Sequence, residues 1–245
     1  ATVAEATFTD CTFSGNGFSP DGLPDYFLPW MSGVDINLKA GTYQNISFVN
    51  PTVTNNGLGG AKEGVGLALK ARNDGASYGL FPATLTNVTV TNGTFTGNER
   101  GIRIGEPGKN NPTPTNVQIH SNRIVDNVQT YTGTDGTPYG GVVNQSTALV
   151  DATNNWFGCN EGASTTTTLT DCDSIEGLVD ADPWLVLSAA ADPASILPLG
   201  TSTITADMLK NSASATPAGF LPDGILAAYT APDGGTLTET DAATL

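Results

Sequence analysis

Apolar and polar residues alternate in short bursts along this chain, not in helical stripes. Three segments align on a leading asparagine: residues 45–56, 87–98 and 116–127. Ile46, Val88 and Val117 fall in one apolar column, and Phe48, Val90 and Ile119 in the next. Val53, Phe95 and Ile124 form a third, and Asn56, Asn98 and Asn127 close the unit. Ala6, Phe8, Phe13 and Asn16 fit the same template without the leading asparagine. The starts are separated by about 40, 42 and 29 residues, a fixed core with insertions of varying length. Alternation as in Val88-Thr89-Val90 turns every second side chain inward. Gly97-Asn98 and Asp126-Asn127 supply sharp corners, because Gly and Asn tolerate left-handed dihedrals.

A third short strand is predicted at Gly64–Leu69, Gly101–Gly105 and Gly140–Asn144. Three strands per unit with corners between them describe one turn of a parallel β-helix, in which stacked neighbours complete the core. The pattern predicts an all-β fold with about 4–5 such rungs. Residues 17–44 and 57–86 are then long excursions or contain an additional strand.

Composition supports this. About 35 threonines and about 20 asparagines suit strands and turns, and poorly suit helix interiors. With 24 Asp and Glu against 9 Lys and Arg, the net charge is −15. That balance disfavours nucleic acid and anionic membrane surfaces as partners, since both are bound through Lys and Arg. It also weighs against polyuronate substrates. No apolar run is long enough to span a bilayer. The Ala1-Thr2-Val3-Ala4 start suggests a mature terminus or the boundary of an excised piece.

Cys159 and Cys172 flank a short polar loop with no nearby histidine, which predicts a disulfide and an oxidising, extracellular setting. Cys11 is expected to be free and buried. Four Asn-x-Ser/Thr sequons, at Asn45, Asn87, Asn92 and Asn144, are candidate glycosylation sites.

Asp151-Ala-Thr-Asn-Asn-Trp-Phe-Gly-Cys159 resembles the Asn-Asn-Trp-Trp-Gly segment that ends the helix in secreted right-handed parallel β-helix repeat proteins. Phe157 departs from that motif. The resemblance continues into Asp182-Pro-Trp-Leu-Val-Leu187. Residues 191–206 are similar to the first strands of bacterial invasin-type immunoglobulin-like domains; 220–225 and 232–237 fit that domain's middle. This implies a right-handed β-helix over 1–187 and a partial immunoglobulin-like β-sandwich over 188–245. A full sandwich needs seven strands and about 100 residues, so the C-terminal portion is expected to be completed by another chain or to belong to a longer one.

Candidate chemistry is sparse. Glycoside hydrolysis uses paired carboxylates, and no Asp-Asp or His-Gly pair of the β-helical glycosidase type occurs. Arg100, Arg103 and Lys109 near Glu99 and Glu106 read as surface ion pairs. The single histidine, His120, reads as solvated or stacked. The acidic run Asp171, Asp173, Glu176, Asp180 and Asp182 could offer Ca²⁺ its oxygens but lacks the spacing of a calcium loop, and reads as a solvated linker. Trp156 and Trp184 are expected to cap the helix end; Trp30 lies in the first insertion.

The expected function is that of an extracellular structural protein, a surface or filament subunit. It is expected to assemble head-to-tail with copies of itself by strand donation, from Ala1–Phe8 or from Gly235–Leu245. It is not expected to be an enzyme or to use a cofactor. The alternatives are a polysaccharide-binding adhesin module and a β-helical lyase or hydrolase.

Overall fold

The computed structural model describes residues 2–17, 31–58, 64–73, 79–106, 109, 111–127, 140–165 and 172–224. All regular structure among them is β. The first sheet contains β1 (Thr2–Val3), β2 (Ala6–Thr9), β5 (Gly41–Val49), β8 (Ala83–Thr91), β11 (Thr115–His120), β14 (Val150–Asp151) and β16 (Val179–Asp180). The second contains β3 (Thr12–Ser14), β6 (Thr52–Thr54), β9 (Thr94–Thr96) and β12 (Arg123–Val125). The third contains β4 (Ser32–Leu38), β7 (Val65–Ala71), β10 (Ile102–Ile104), β13 (Val142–Asn144) and β15 (Ile175–Glu176). Every pairing in these sheets is parallel, and the chain visits the first, second and third sheets in that order through β13, after which β14, β15 and β16 alternate between the first and the third. The arrangement is compatible with a parallel β-helix.

The registers reproduce the repeat. Ala6, Ile46, Val88, Val117, Val150 and Val179 are successive partners. So are Phe8, Phe48, Val90 and Ile119, and Phe13, Val53, Phe95 and Ile124. In the third sheet Val34, Leu67, Ile102, Val142 and Ile175 align. Between the two ends of the stack these columns are one buried core; Ala6, Phe8, Phe13 and Val34 at one end, and Ile175 and Val179 at the other, pack on it partly buried. The rings of Phe8 and Phe48 stack at 4.8 Å. The strand β4, inside the first insertion, is the additional strand that the spacing allowed.

The asparagines explain the corners. Asn45, Asn87 and Asn116 adopt φ of 56°, 56° and 51°, and the pairing of the first-sheet strands skips each of them. Asp10, Asn50, Asn92, Ser121 and Asn154 form a second left-handed column between the first and second sheets. Gly15, Asn55, Gly97 and Asp126 form a third. The residues after Asn55, Gly97 and Asp126 turn inward and are buried, whereas Asn16 after Gly15 is exposed. Asn56 Nδ2 donates to Asn98 Oδ1 at 2.9 Å, and Asn98 Nδ2 to Asn127 Oδ1 at 3.0 Å. Each side chain also satisfies a backbone carbonyl one coil back, Phe13 for Asn56 and Val53 for Asn98. Buried amides in such a ladder leave no unpaired polar group. A glycine column follows where coils approach closely: a Cβ on Gly66 would lie 2.8 Å from the Gly101 carbonyl.

Beyond Trp184 the stack gives way to one antiparallel pair, β17 (Leu185–Asp192) and β18 (Thr203–Asn211). Within 188–245 no further strand occurs among the described residues, which end at Gly224.

Candidate functional site

The C-terminal end of the stack gathers most of the features singled out in the sequence. Cys159 and Cys172 are disulfide-bonded, with Cα atoms 5.3 Å apart. Closing a loop of about 14 residues is expected to stabilise the fold by roughly 3 kcal/mol. Denaturant unfolding with and without a thiol reductant checks this, and identical midpoints would refute it. Glu161 lies near both sulfurs, but cysteines bonded to each other are not thiolate ligands. Trp156 is buried with Val125 and Leu185, and Met208 and Leu221 pack on them. Trp184 covers Gly162, whose missing side chain makes room for the indole ring. Trp184 packs on this end of the core as expected, but Trp156 does not: it belongs to the separate cluster with Val125 and Leu185, and Phe157 is the ring that enters the core.

Residues after β18 form a strap that runs back along the second corner column. Asn211 Nδ2 donates to Asn154 Oδ1 at 2.8 Å, and Ser121 Oγ to the Ala218 carbonyl at 3.2 Å. The Phe220 amide reaches Asn92 Oδ1 at 3.4 Å, and Arg123 Nη1 donates to the Gly224 carbonyl at 3.0 Å. Gly219 sits so close to Ser121 that an added Cβ would lie 2.5 Å from its hydroxyl. Between strap, β18 and stack lies a mainly apolar cavity of about 300 Å³, lined by Leu185, Met208, Pro217, Phe220 and Leu221.

The edge of β17 that faces away from β18 is partly occupied. Asn160, next to Cys159, offers its side-chain amide to one backbone residue in both directions. Its Nδ2 donates to the Leu187 carbonyl at 2.8 Å, and the Leu187 amide donates to its Oδ1 at 2.6 Å. The Asn160 carbonyl in turn accepts from Trp184 Nε1 at 2.8 Å. No sequence pattern marks Asn160, because one side chain imitating a strand has no periodicity.

The other sequence candidates scatter. Arg100, Arg103, Glu99 and Glu106 are buried, not surface ion pairs. Arg103 projects from the outer face of the third sheet, and that face is covered from β7 to β13. Lys70 shares this face and lies 3.1 Å from Asp35. Burial lowers the Lys70 pKa, with Asp35 opposing and Arg103 reinforcing the shift. Arg72 Nε lies 3.6 Å from Glu106 Oε2, which also accepts from Asn111 Nδ2. Lys109 is exposed.

His120 is neither simply solvated nor stacked: its Nε2 lies 2.9 Å from Asp151 Oδ1. Burial alone would raise the Asp151 carboxyl. Hydrogen bonds from His120 and Thr153 outweigh that and hold it below the ordinary carboxylate value. Cys11 is free as expected but partly exposed, at a corner where its Sγ points to the Thr9 carbonyl. The acidic run is not one cluster. Asp173 is buried on Asn127, Asp180 and Asp182 are exposed, and Asp171 lies outside the described residues. Trp30 is also outside them.

Of the sequons, Asn144 is buried; its Nδ2 donates to the Ala148 and Leu178 carbonyls, both at 2.7 Å. Asn45 and Asn87 are exposed and bonded to each other along the stack. Asn92 is half-buried beside the strap. The chain matches no protein family, no curated protein and no solved structure.

Proposed function

We propose that this chain is an extracellular structural subunit. In this reading a right-handed parallel β-helix forms a stiff arm, and a partial immunoglobulin-like sheet at its end is completed by a strand from another copy. The observation that carries the reading is the β17–β18 pair, two strands standing alone among the described residues. Leu187, Ile204 and Leu209 on these strands are exposed, and so are Ile196, Leu197 and Leu199 in their connection. An isolated two-stranded sheet is marginal in water and presents open edges that recruit further strands. The strap and the apolar packing of Leu185 and Met208 couple it to the stack, which suits a subunit that transmits force. The disulfide fits an oxidising extracellular compartment.

Ala1–Phe8 is the less favoured donor. Strands β1 and β2 pair with β5 of their own chain, so donation would require that pairing to open. The donor in this reading is Gly235–Leu245, which lies outside the described residues. A strand passed from one copy to the next is a heterologous contact, and one that does not close produces filaments. Electron microscopy and analytical ultracentrifugation of the full chain are expected to show polymers. Deletion of 236–245 is expected to abolish them, and deletion of 1–8 is expected to leave strand donation intact. A wild-type chain that stays monomeric at high micromolar concentration would overturn the reading.

A further inference from the structure

We propose that the acceptor for strand addition is the edge of β17 that faces away from β18, and that Asn160 is a plug held on it. The inference rests on the strand-donation reading and locates its acceptor.

Backbone groups alternate between the two edges of an antiparallel strand. The Leu187 amide and carbonyl face away from β18, since both bond to Asn160. The register shifts between Val186 and Ser188, with the extra residue on β18, so β17 keeps its alternation and the amides and carbonyls of Ala189 and Ala191 face the same edge. From Leu185 to Ala191 the strand carries no charged residue and no proline. Those are the usual devices that keep an edge from pairing with another chain. The side chain of Asn160 is the device found here. It satisfies one donor and one acceptor as an incoming strand would, and it stops at Leu187. Its position is fixed on both sides, by the disulfide at Cys159 and by Trp184 on its backbone carbonyl.

The partner that fits is an extended, largely uncharged segment of a second copy, added in the β-augmentation mode in which main-chain bonds supply affinity and pockets supply specificity. Gly235–Leu245 meets that description at its ends, with Leu237 and Leu245 as apolar side chains. The sequence runs 21 residues beyond Gly224, and an extended chain of that length reaches about 70 Å. That is long enough to leave the stack of its own subunit, where Gly224 is held by Arg123.

The test compares wild type, Asn160→Ala, Asn160→Asp and the double variant Asn160→Ala/Ala189→Pro, all as full chains with the disulfide intact. Analytical ultracentrifugation reads assembly, and hydrogen exchange of the Leu187 amide reads plug removal. Asn160→Ala frees two hydrogen-bonding groups that the incoming strand otherwise has to win. Half-assembly is therefore expected at a roughly tenfold lower protein concentration. Asn160→Asp keeps the acceptor for the Leu187 amide and loses the donor to its carbonyl, so a smaller shift is expected. The added proline removes an edge N–H and should return assembly to the wild-type level or below. Equal assembly of wild type and Asn160→Ala, with faster exchange at Leu187 in the variant, would overturn the plug while leaving strand donation standing. No assembly of either protein, with the same faster exchange, would overturn strand donation and the plug with it.

Discussion

Phe95→Ala is expected to destabilise the fold by about 3–5 kcal/mol. Phe95 is fully buried on β9, stacked in register between Val53 and Ile124. Removing the ring loses its transfer free energy and leaves a void that parallel strands on both sides cannot close. Each of those strands is fixed by its own ladder of backbone hydrogen bonds. Phe13 occupies the same column on the first coil but is only partly buried. Phe13→Ala is therefore expected to cost clearly less. Denaturant titrations of the two variants, with unchanged slope, make the comparison. Equal losses at both positions, or a loss below about 1 kcal/mol at Phe95, would contradict a core built from these columns.

That column was legible because the corner residues fix the phase of each coil. Once Asn56, Asn98 and Asn127 are aligned, the apolar positions before them have no freedom. The leading asparagines were legible as markers, but their role was not. A left-handed residue inside a long strand looks like any polar residue until its dihedral is known. An additional strand was allowed in residues 17–44, but the place of β4 within them was not legible, because the first unit lacks the leading asparagine that marks the phase of the others. Arg103 and Glu106 were misread for a different reason. Alternation tells which side chains point away from the core, and it cannot tell which outer faces another part of the chain covers. Asn160 and the strap lie further still from any pattern, since their partners are 24 to 128 residues away in sequence.

The asparagine ladder ends on an acid, and stability should record it. Asp173 takes the place of an asparagine after Asn127: Asn127 Nδ2 donates to Asp173 Oδ2 at 2.5 Å, and the Asn127 amide to Oδ1 at 3.3 Å. Burial pushes the Asp173 carboxyl up to about 7, hydrogen bonds from Asn127 oppose the rise, and neighbouring Asp126 adds to it. The folded protein therefore holds this proton over a range where the unfolded chain, with an ordinary value of 3.8, has lost it. Protons bound in excess by the folded state make stability fall as pH rises. The contribution is fully present below about pH 4 and is lost by about pH 7. A shift of this size corresponds to a loss on the order of 4 kcal/mol. Asp173→Asn should remove that slope. An asparagine there would accept the same two bonds without a charge. By the pattern of Asn98 and Asn127, which donate to Val53 and Phe95, it would also reach the Ile124 carbonyl. Unfolding free energies at pH 4.5, 6 and 8 are expected to converge for the two proteins at the acid end and to favour the variant increasingly toward pH 8. Asp151, whose carboxyl is held low, contributes the opposite trend at acid pH, and it does so equally in both proteins. Parallel profiles across the whole range would mean that Asp173 is ionised in the folded protein as it is in the unfolded chain.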